Sequence, residues 1–551
     1  MNANSPIPTT WTTGSTEVFK TGTWRAALPM HIRAPAPCHA ACPVGGDIAE
    51  WIGRARARDF RGAWETLTRH NPFPAVAGRI CHHPCEAACN RAGFDASLAI
   101  CRLERYVGDL ALAEQWAFAP AATTRKERIA VVGGGPSGLS AAFHLRRRGY
   151  AVTLFESANE LGGLMRHGIP SYRLARPVLD GEIARIVALG VDVRRESIDA
   201  PDDFQRLRDD FHAVYLAIGA RCQKRLPRLD YTQPWVMDGA EYLARANAGA
   251  PPALGRRVVV IGGGSAALDV ARSARRASHE VTILALEGLA QMPAQREEVA
   301  EALEEGVVLV DSAMLTDVID RGGGNLLLNC VRVRFEPGAE RGQFTVTPIA
   351  GRDFSLAADA IVPSIGQDPD LAPVDGTLEA VGTLLKVDSR QATSLGGVYA
   401  GGDVASMARF VTEVIGMGRR AAREIDQALS DAVQPMGDLD AEAIVPLAAI
   451  NTFYHPKAAR ATEQRLDATQ RLARDAEVQI GFDVDTALAE SERCFSCGTC
   501  ILCDNCVHYC PDLAVKRESD GYVVLADYCK GCGLCVAECP TGSMKMEEEK
   551  R

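Results

Sequence analysis

No stretch of this chain approaches the roughly 20 consecutive apolar residues that a membrane-spanning helix requires. The first thirty residues, MNANSPIPTTWTTGSTEVFKTGTWRAALPM, also lack an apolar core of signal-peptide length, so a cytoplasmic protein without a membrane span is expected. Basic charge is short as well: 60 Lys and Arg face 70 Asp and Glu, for a formal net charge of −10. Binding nucleic acid needs a basic face to neutralise phosphates, which sets that class aside. No Ser-His-Asp arrangement, substrate barrel or further catalytic domain is apparent, so substrate chemistry, if any, is expected to reside on another protein.

Cysteine, in contrast, is plentiful. Its 18 residues fall almost wholly into two clumps at opposite ends of a 551-residue chain, which is not the pattern of a short secreted disulfide scaffold. Metal or cluster ligation in a reducing compartment is the better reading. The length and the 47% hydrophobic content predict several folded domains. Helical-looking stretches such as DIAEWIGRARARDFRGAWETLTRH surround the first clump. The charged TTRKER then leads into the strand IAVVG, and β and α patterns alternate to about residue 435. A polar, helical-looking stretch, AARATEQRLDATQRLARDAE, precedes the second clump, and EEEKR closes the chain as a solvated tail.

The segment RIAVVGGGPSGLSAAFHLRRRGYAVTLFE reads as strand, glycine turn, helix and second strand, ending in Glu156. Gly133 makes the turn, Gly135 lets backbone N–H groups approach a pyrophosphate, and Gly138 lets helix and strand pack closely, while Glu156 would accept hydrogen bonds from a ribose. A second unit, RRVVVIGGGSAALDVARSARRASHEVTIL, carries Gly262, Gly264 and Ala267 in the G-x-G-x-x-A form, so two dinucleotides are expected. Further on, GGVYAGGDVA places Gly402 and Asp403 at a strand end, before the candidate helix RFVTEVIGMGRRAAREI.

The motifs GGGPSGLSAA, ELGGLMRHGIP, VYLAIGA, GGGSAALD, IVPSIGQDPD and VYAGGDV resemble the two-dinucleotide flavoprotein family of the glutamate synthase β-subunit and its relatives. The resemblance implies FAD on Gly133, Gly135, Gly138, Glu156, Gly163 and Asp403, with Gly402 a further cofactor-binding candidate and a nicotinamide domain inserted into the FAD domain. Disulfide reductases of similar architecture keep a cysteine pair beside the flavin. Here the α/β region holds only Cys222 and Cys330, far apart and read as ordinary buried cysteines.

In the second clump, Cys500, Cys503, Cys506 and Cys510-Pro511 have the spacing of one bacterial ferredoxin half, and Cys529, Cys532, Cys535 and Cys539-Pro540 that of the other. The fourth cysteine of each run reaches to the other cluster. The expected sets are therefore Cys500, Cys503, Cys506 with Cys539, and Cys529, Cys532, Cys535 with Cys510. A zinc ribbon would leave several thiolates idle. Cys494 and Cys497 remain as a spare pair: free thiols, alternative ligands or part of a partner's site.

At the other end, APCHAACP and CHHPCEAAC resemble the N-terminal cluster domain of glutamate synthase β-subunits and dihydropyrimidine dehydrogenases. That family's pattern implies one 4Fe-4S cluster on Cys38, Cys42, Cys85 and Cys89. A second would need a C-x-x-C just upstream, where ALPMHIRAPAP has none, and Cys81 and Cys101 are left over.

The expected fold is multidomain: an N-terminal α-helical iron–sulfur domain (1–124), two nested Rossmann-like α/β dinucleotide-binding domains and a C-terminal bacterial-ferredoxin-like α+β domain (494–551). The FAD domain would span 125–228 and 359–435, the NAD(H) domain 229–358, and a connecting segment 436–493. The resemblance implies an electron-transfer flavoprotein passing electrons between NAD(H), FAD and three 4Fe-4S clusters. It would be the nicotinamide-facing module of a hetero-oligomer such as a 2-oxoacid oxidoreductase, working with a ferredoxin or a catalytic subunit. Alternatives are a glutamate synthase small subunit and a non-catalytic redox-sensing scaffold. NADPH-using relatives carry a Tyr-Arg-Arg type sequence after the second strand of the inserted domain. Here Ala285, Leu286 and Glu287 stand there, and Glu287 lies about 25 residues past Gly262, near the offset of a ribose-binding acid, so NADH is expected. The competing reading makes Glu287 a solvated loop acid and brings in Arg296 to serve NADPH.

Overall fold

The computed structural model describes residues 25–339, 342–407, 409–430, 443–473, 476–519 and 521–549. Most of the first thirty residues, the expected boundary at 435/436 and the last two residues of the charged tail lie outside the described residues.

Helices form in the N-terminal region where apolar residues recur at helical spacing. Ile48–Arg56, Phe60–Leu67 and Ile100–Ala113 turn Trp51, Ile52, Trp64, Leu67, Leu103 and Val107 into one core. Asp59 caps the second helix, its Oδ1 accepting from the Gly62 N–H at 2.9 Å. The short helices Pro37–Ala41 and Pro84–Ala87 open on proline, which suits the first turn, and carry Cys38 and Cys85.

The strand Arg128–Val132 lies at the centre of a five-stranded parallel sheet ordered Val398–Ala400, Ala213–Leu216, Arg128–Val132, Ala151–Phe155, Asp192–Arg194. Both faces of this strand are covered, which explains its unbroken apolar sequence. Ile129 and Val131 enter one hydrophobic cluster, Ala130 and Val132 the other. A second parallel sheet, ordered Ala360–Pro363, Arg257–Ile261, Glu280–Leu284, Val308–Val310, is inserted in sequence between the strands Ala213–Leu216 and Val398–Ala400. The antiparallel strands Ala313–Asp320, Leu326–Pro337 and Phe344–Ala358 extend this inserted body. Cys330 is buried in their core, whereas Cys222, expected to be buried, is exposed on the short strand Cys222–Gln223.

The stretch 458–477 departs from the expected polar helix: only Ala468–Ala473 is helical among its described residues. Its charges are taken up by the N-terminal helices instead. Glu463 pairs with Arg102 (2.7 Å) and Arg105 (3.1 Å), Glu477 with Arg79 (2.6 Å) and Arg105 (2.9 Å), and Arg460 with Glu86 (2.5 Å). Tertiary ion pairing with partly buried guanidinium groups outweighs a weak local helix preference. The chain ends also meet: Ala27–His31 pairs antiparallel with Met544–Glu548, so an N-terminal strand closes the C-terminal module.

The two α/β bodies are joined by Arg173, which donates to Asp269 at 2.6 Å and pairs with Glu298. All three are largely removed from solvent. Arg173→Met should cost about 3–5 kcal/mol by leaving two buried carboxylates without their cation. Burial raises Asp269 to about 6 despite Arg173, so its proton is held more tightly in the fold than in the unfolded chain. The deficit, followed by thermal unfolding, should therefore shrink as the pH is lowered toward that value.

Candidate functional site

The two glycine turns are built alike. Gly133 (φ +106°) and Gly262 (φ +139°) turn the chain where a Cβ would run into the carbonyl oxygens of Ala217 and Ser364 respectively, so only glycine fits. Gly135 and Gly264 differ: their backbones are extended and a Cβ would meet no protein atom within 4 Å. That open space lies at the N-termini of the helices Pro136–Arg147 and Ser265–Arg276, where free N–H groups and the helix dipole favour a phosphate. The acids match too. Glu156 Oε2 accepts from the Gly134 N–H at 2.8 Å, and a Cβ on Gly263 would lie 2.5 Å from Glu287 Oε2. Glu287 thus folds back beneath the second turn as Glu156 does beneath the first. Burial raises its carboxyl, with its own backbone N–H opposing. Arg296, the first residue of the helix Arg296–Glu304, is exposed.

Between the two bodies runs a cleft of about 500 Å³. Gly133, Gly135, Glu156, Gly163, Gly402 and Asp403 line it from the first body, and Ser265, Asp269 and Glu298 from the inserted one. Gly138, Gly262, Gly264, Ala267 and Glu287 do not line this cleft. Gly138 packs against the Gly133 carbonyl, and Ala267 is buried in the inserted core. Asp403 is raised by burial, with Arg409 opposing. Ile80, from the N-terminal helical unit, reaches the cleft wall beside Phe410 and Val411. Directly after it, the Cys81 thiol contacts Thr412 Oγ1 at 3.5 Å, and the His82 ring stacks on Phe410 at 4.0 Å between centroids.

All eighteen cysteines are free thiols. Among the described residues, no three His, Cys, Asp or Glu side chains converge tightly enough to hold a single ion, and the thiol groups are more open than that. Cys500, Cys503, Cys506 and Cys539 line one small cavity of the C-terminal module. Cys529, Cys532, Cys535 and Cys510 form a second group of electrostatic neighbours. The structure thus brings Cys539 to the first run and Cys510 to the second.

The N-terminal thiols are divided differently from the expected set. Burial first, then the neighbouring thiols of Cys494, Cys497 and Cys89, push Cys38 well up, and these four cysteines line one cavity. Cys85 is raised by burial and then by Cys42 and Cys81. Glu104 lies close enough to raise Cys42, Cys81 and Cys85 in turn, and burial lifts its own carboxyl to about 7 against a hydrogen bond from Asn71 Nδ2 at 2.7 Å. The structure thus brings Cys42 and Cys85 to Cys81 and Glu104, and Cys38 and Cys89 to the C-terminal pair. Sequence reasoning left Cys81, Cys494 and Cys497 unassigned and passed over Glu104. Only Cys494 and Cys497 carried a readable signal: CFSCG has the form of CILCD and CKGCG.

Two α/β bodies around one cleft, with iron–sulfur domains at either end, define a pyridine-nucleotide oxidoreductase of the electron-transfer class. The chain belongs to the pyridine nucleotide-disulphide oxidoreductase family, whose model matches residues 127–430. Residues 33–116 match the 4Fe-4S domain II of dihydropyrimidine dehydrogenase, and residues 499–544 match a 4Fe-4S dicluster domain. Among curated relatives, the NADP(+)-dependent formate dehydrogenase subunit beta of Moorella thermoacetica is 34% identical, over 84% of this chain and 70% of that one. The NADPH-Fe(3+) oxidoreductase subunit beta of Geobacter sulfurreducens is 31% identical, over 84% and 75%. The NAD-dependent dihydropyrimidine dehydrogenase subunit PreT of Salmonella typhimurium is 31% identical, over 72% and 92%. No helix among the described residues is long and apolar enough to cross a membrane.

The open faces of Gly135 and Gly264 permit a separation of folding from binding. Gly135→Val should keep the native circular dichroism but purify with little flavin, because its side chain fills space that protein atoms leave free. Gly264→Val should keep the flavin and lose its reduction by the nicotinamide nucleotide.

Proposed function

We propose that this chain is the nicotinamide-facing electron-transfer subunit of a larger reductase or dehydrogenase, with NADH as its preferred nucleotide and a ferredoxin-like centre or a catalytic subunit as its redox partner. The observation that carries this reading is the shared cleft, which opens to both glycine turns' bodies and borders the Cys81 segment. A bound flavin would supply the conversion of one hydride's electron pair into two single electrons. The chain's own residues do the rest. Gly133, Gly135, Gly138 and Glu156 would seat the FAD, with Gly163, Gly402 and Asp403 closing over it. Gly262, Gly264, Ala267 and Glu287 would seat NAD(H), and the Arg173–Asp269–Glu298 group would fix the angle between the two bodies.

Beyond the cleft, Cys500, Cys503, Cys506 and Cys539 would hold one 4Fe-4S cluster and Cys529, Cys532, Cys535 and Cys510 another. In the N-terminal unit, Cys42, Cys81 and Cys85, with Glu104 as a fourth, non-thiolate donor, would hold the cluster nearest the cleft. A redox partner is supported by the exposure of Cys503 and Cys532 beside the exposed apolar Ile501, Leu502, Leu513 and Leu534. An apolar surface over a redox centre is what a docking partner covers.

The preference for NADH rests on Glu287. A carboxylate beneath the second turn accepts hydrogen bonds from a ribose 2′-OH and repels a 2′-phosphate. Two of the relatives above are named for NADP(H) and one for NAD, so the family name does not decide the matter. Steady-state dye reduction should give a higher kcat/KM with NADH than with NADPH, and Glu287→Arg should narrow or reverse the ratio. Equal or faster wild-type reduction with NADPH would remove the NADH assignment alone. A protein that reduces no dye with either nucleotide would be a redox-sensing scaffold.

A further inference from the structure

The pair Cys494 and Cys497 lies outside both iron–sulfur family matches, which end at residue 116 and resume at residue 499. The two sulfurs nevertheless meet Cys38 and Cys89 around one cavity walled by Ile52, Leu98, Ile100 and Phe495. Their local backbone supplies an independent observation. In the ferredoxin loops, the second residue after Cys500 and after Cys529 is left-handed (Leu502 φ +55°, Gly531 φ +70°), and its N–H donates back to that sulfur at 3.4 Å. The residue after the next cysteine is left-handed too (Asp504 φ +61°, Gly533 φ +75°). The stretch from Cys494 repeats this pattern. Ser496 has φ +50° and donates to Cys494 Sγ at 3.4 Å, and Gly498 has φ +69°. A left-handed serine is strained, and such strain persists where surrounding structure imposes it, often at a functional site. Asn90 Nδ2 adds a second N–H, donating to Cys497 Sγ at 3.4 Å.

The placement of the pair is fixed by burial and charge. The helix Val484–Glu492 packs on the N-terminal helices Ile48–Arg56 and Ile100–Ala113. At its end, Arg493 reaches Glu490 (2.7 Å), Asp95 (3.2 Å) and the Ala96 carbonyl (2.7 Å), and its own carbonyl accepts from Arg91 at 2.6 Å. Arg91, Glu490 and Arg493 are each at most 4% exposed. Breaking such a network leaves buried charge unpaired, so the position of Cys494 is not free to drift.

We propose that Cys38, Cys89, Cys494 and Cys497 together ligate one 4Fe-4S cluster, so that the C-terminal segment completes the N-terminal iron–sulfur site. The pair would stand in for the upstream C-x-x-C that this chain lacks. Gly498 and Thr499 alone separate Cys497 from Cys500, so the same segment would join this cluster to the first ferredoxin cluster. The inference rests on the reading of the N-terminal unit as an iron–sulfur module.

The test uses the full chain, purified without oxygen and assayed for iron, flavin and the electron paramagnetic resonance of the dithionite-reduced state. Cys494→Ser/Cys497→Ser should lose about four irons per chain and one reduced-cluster signal while keeping FAD. Cys38→Ser/Cys89→Ser should lose the same four, and the quadruple variant no more than either. Full iron in the first variant with loss in the second would overturn the C-terminal ligation and leave the N-terminal module standing. Full iron in both would overturn the module as well. Should the variants fail to fold, iron-edge anomalous diffraction from wild-type crystals decides: iron density amid the four named sulfurs supports the proposal, and density amid Cys38, Cys42, Cys85 and Cys89 overturns it.

Discussion

The buried charges Arg91, Asp95, Glu490 and Arg493 are the constraint on which the rest of this architecture depends. Asp95 receives both guanidinium groups, and Glu490 receives Arg493 together with the Ala99 N–H at 2.8 Å. Each ion is balanced by another, which is what permits four charges to leave water. The network ties a loop of the N-terminal helical unit to the segment that leads into the ferredoxin-like module. It acts together with the ion pairs of Glu463, Glu477 and Arg460 and with the packing of Val484–Glu492 on the N-terminal helices. The two cysteine-rich ends of the chain are thereby neighbours, and the strand pairing of Ala27–His31 with Met544–Glu548 fastens the same junction from the other side.

The catalytic half follows from a different economy, the reuse of one local solution. Both glycine turns place a close-packed carbonyl on one side and open space on the other, and both fold an acid under the turn. The cleft between them is positioned by the sheets and held by Arg173 on Asp269 and Glu298. Its wall touches the helical unit at Ile80, one residue before Cys81. Beyond the cleft the thiols gather in separate neighbourhoods: Cys42, Cys81 and Cys85 next to Ile80, Cys38 and Cys89 with the C-terminal pair, and the ferredoxin-like sets with exposed Cys503 and Cys532.

What the sequence revealed was short in range. Gly133, Gly135 and Glu156 sit within one β-turn-α-β unit, and the ferredoxin cysteines within two runs, so spacing alone carries their geometry. The nested order of the two sheets was also readable from the apolar runs of their central strands, whereas the edge strand Asp192–Arg194, sequence DVR, carries no such run. What stayed hidden was long in range. Nothing near Cys38 marks Cys494 as its neighbour, and nothing in residues 27–31 marks a strand partner near the other end of the chain. The polar stretch 458–477 looked helical because its partners Arg79, Arg102 and Arg105 lie hundreds of residues away. Glu104 escaped notice since a lone glutamate on a helix carries no pattern.

The central claim is that reducing equivalents entering at the dinucleotide cleft reach the ferredoxin-like module through the joined ends of the chain. Freeze-quench electron paramagnetic resonance after mixing the full chain with NADH tests it most directly, comparing wild type with Arg493→Met, which retains every proposed ligand but breaks the charge network. The account predicts unchanged bleaching of the flavin in the variant with delayed or absent signals from the ferredoxin-like clusters. Cluster signals that rise in the variant as fast as in wild type would contradict it.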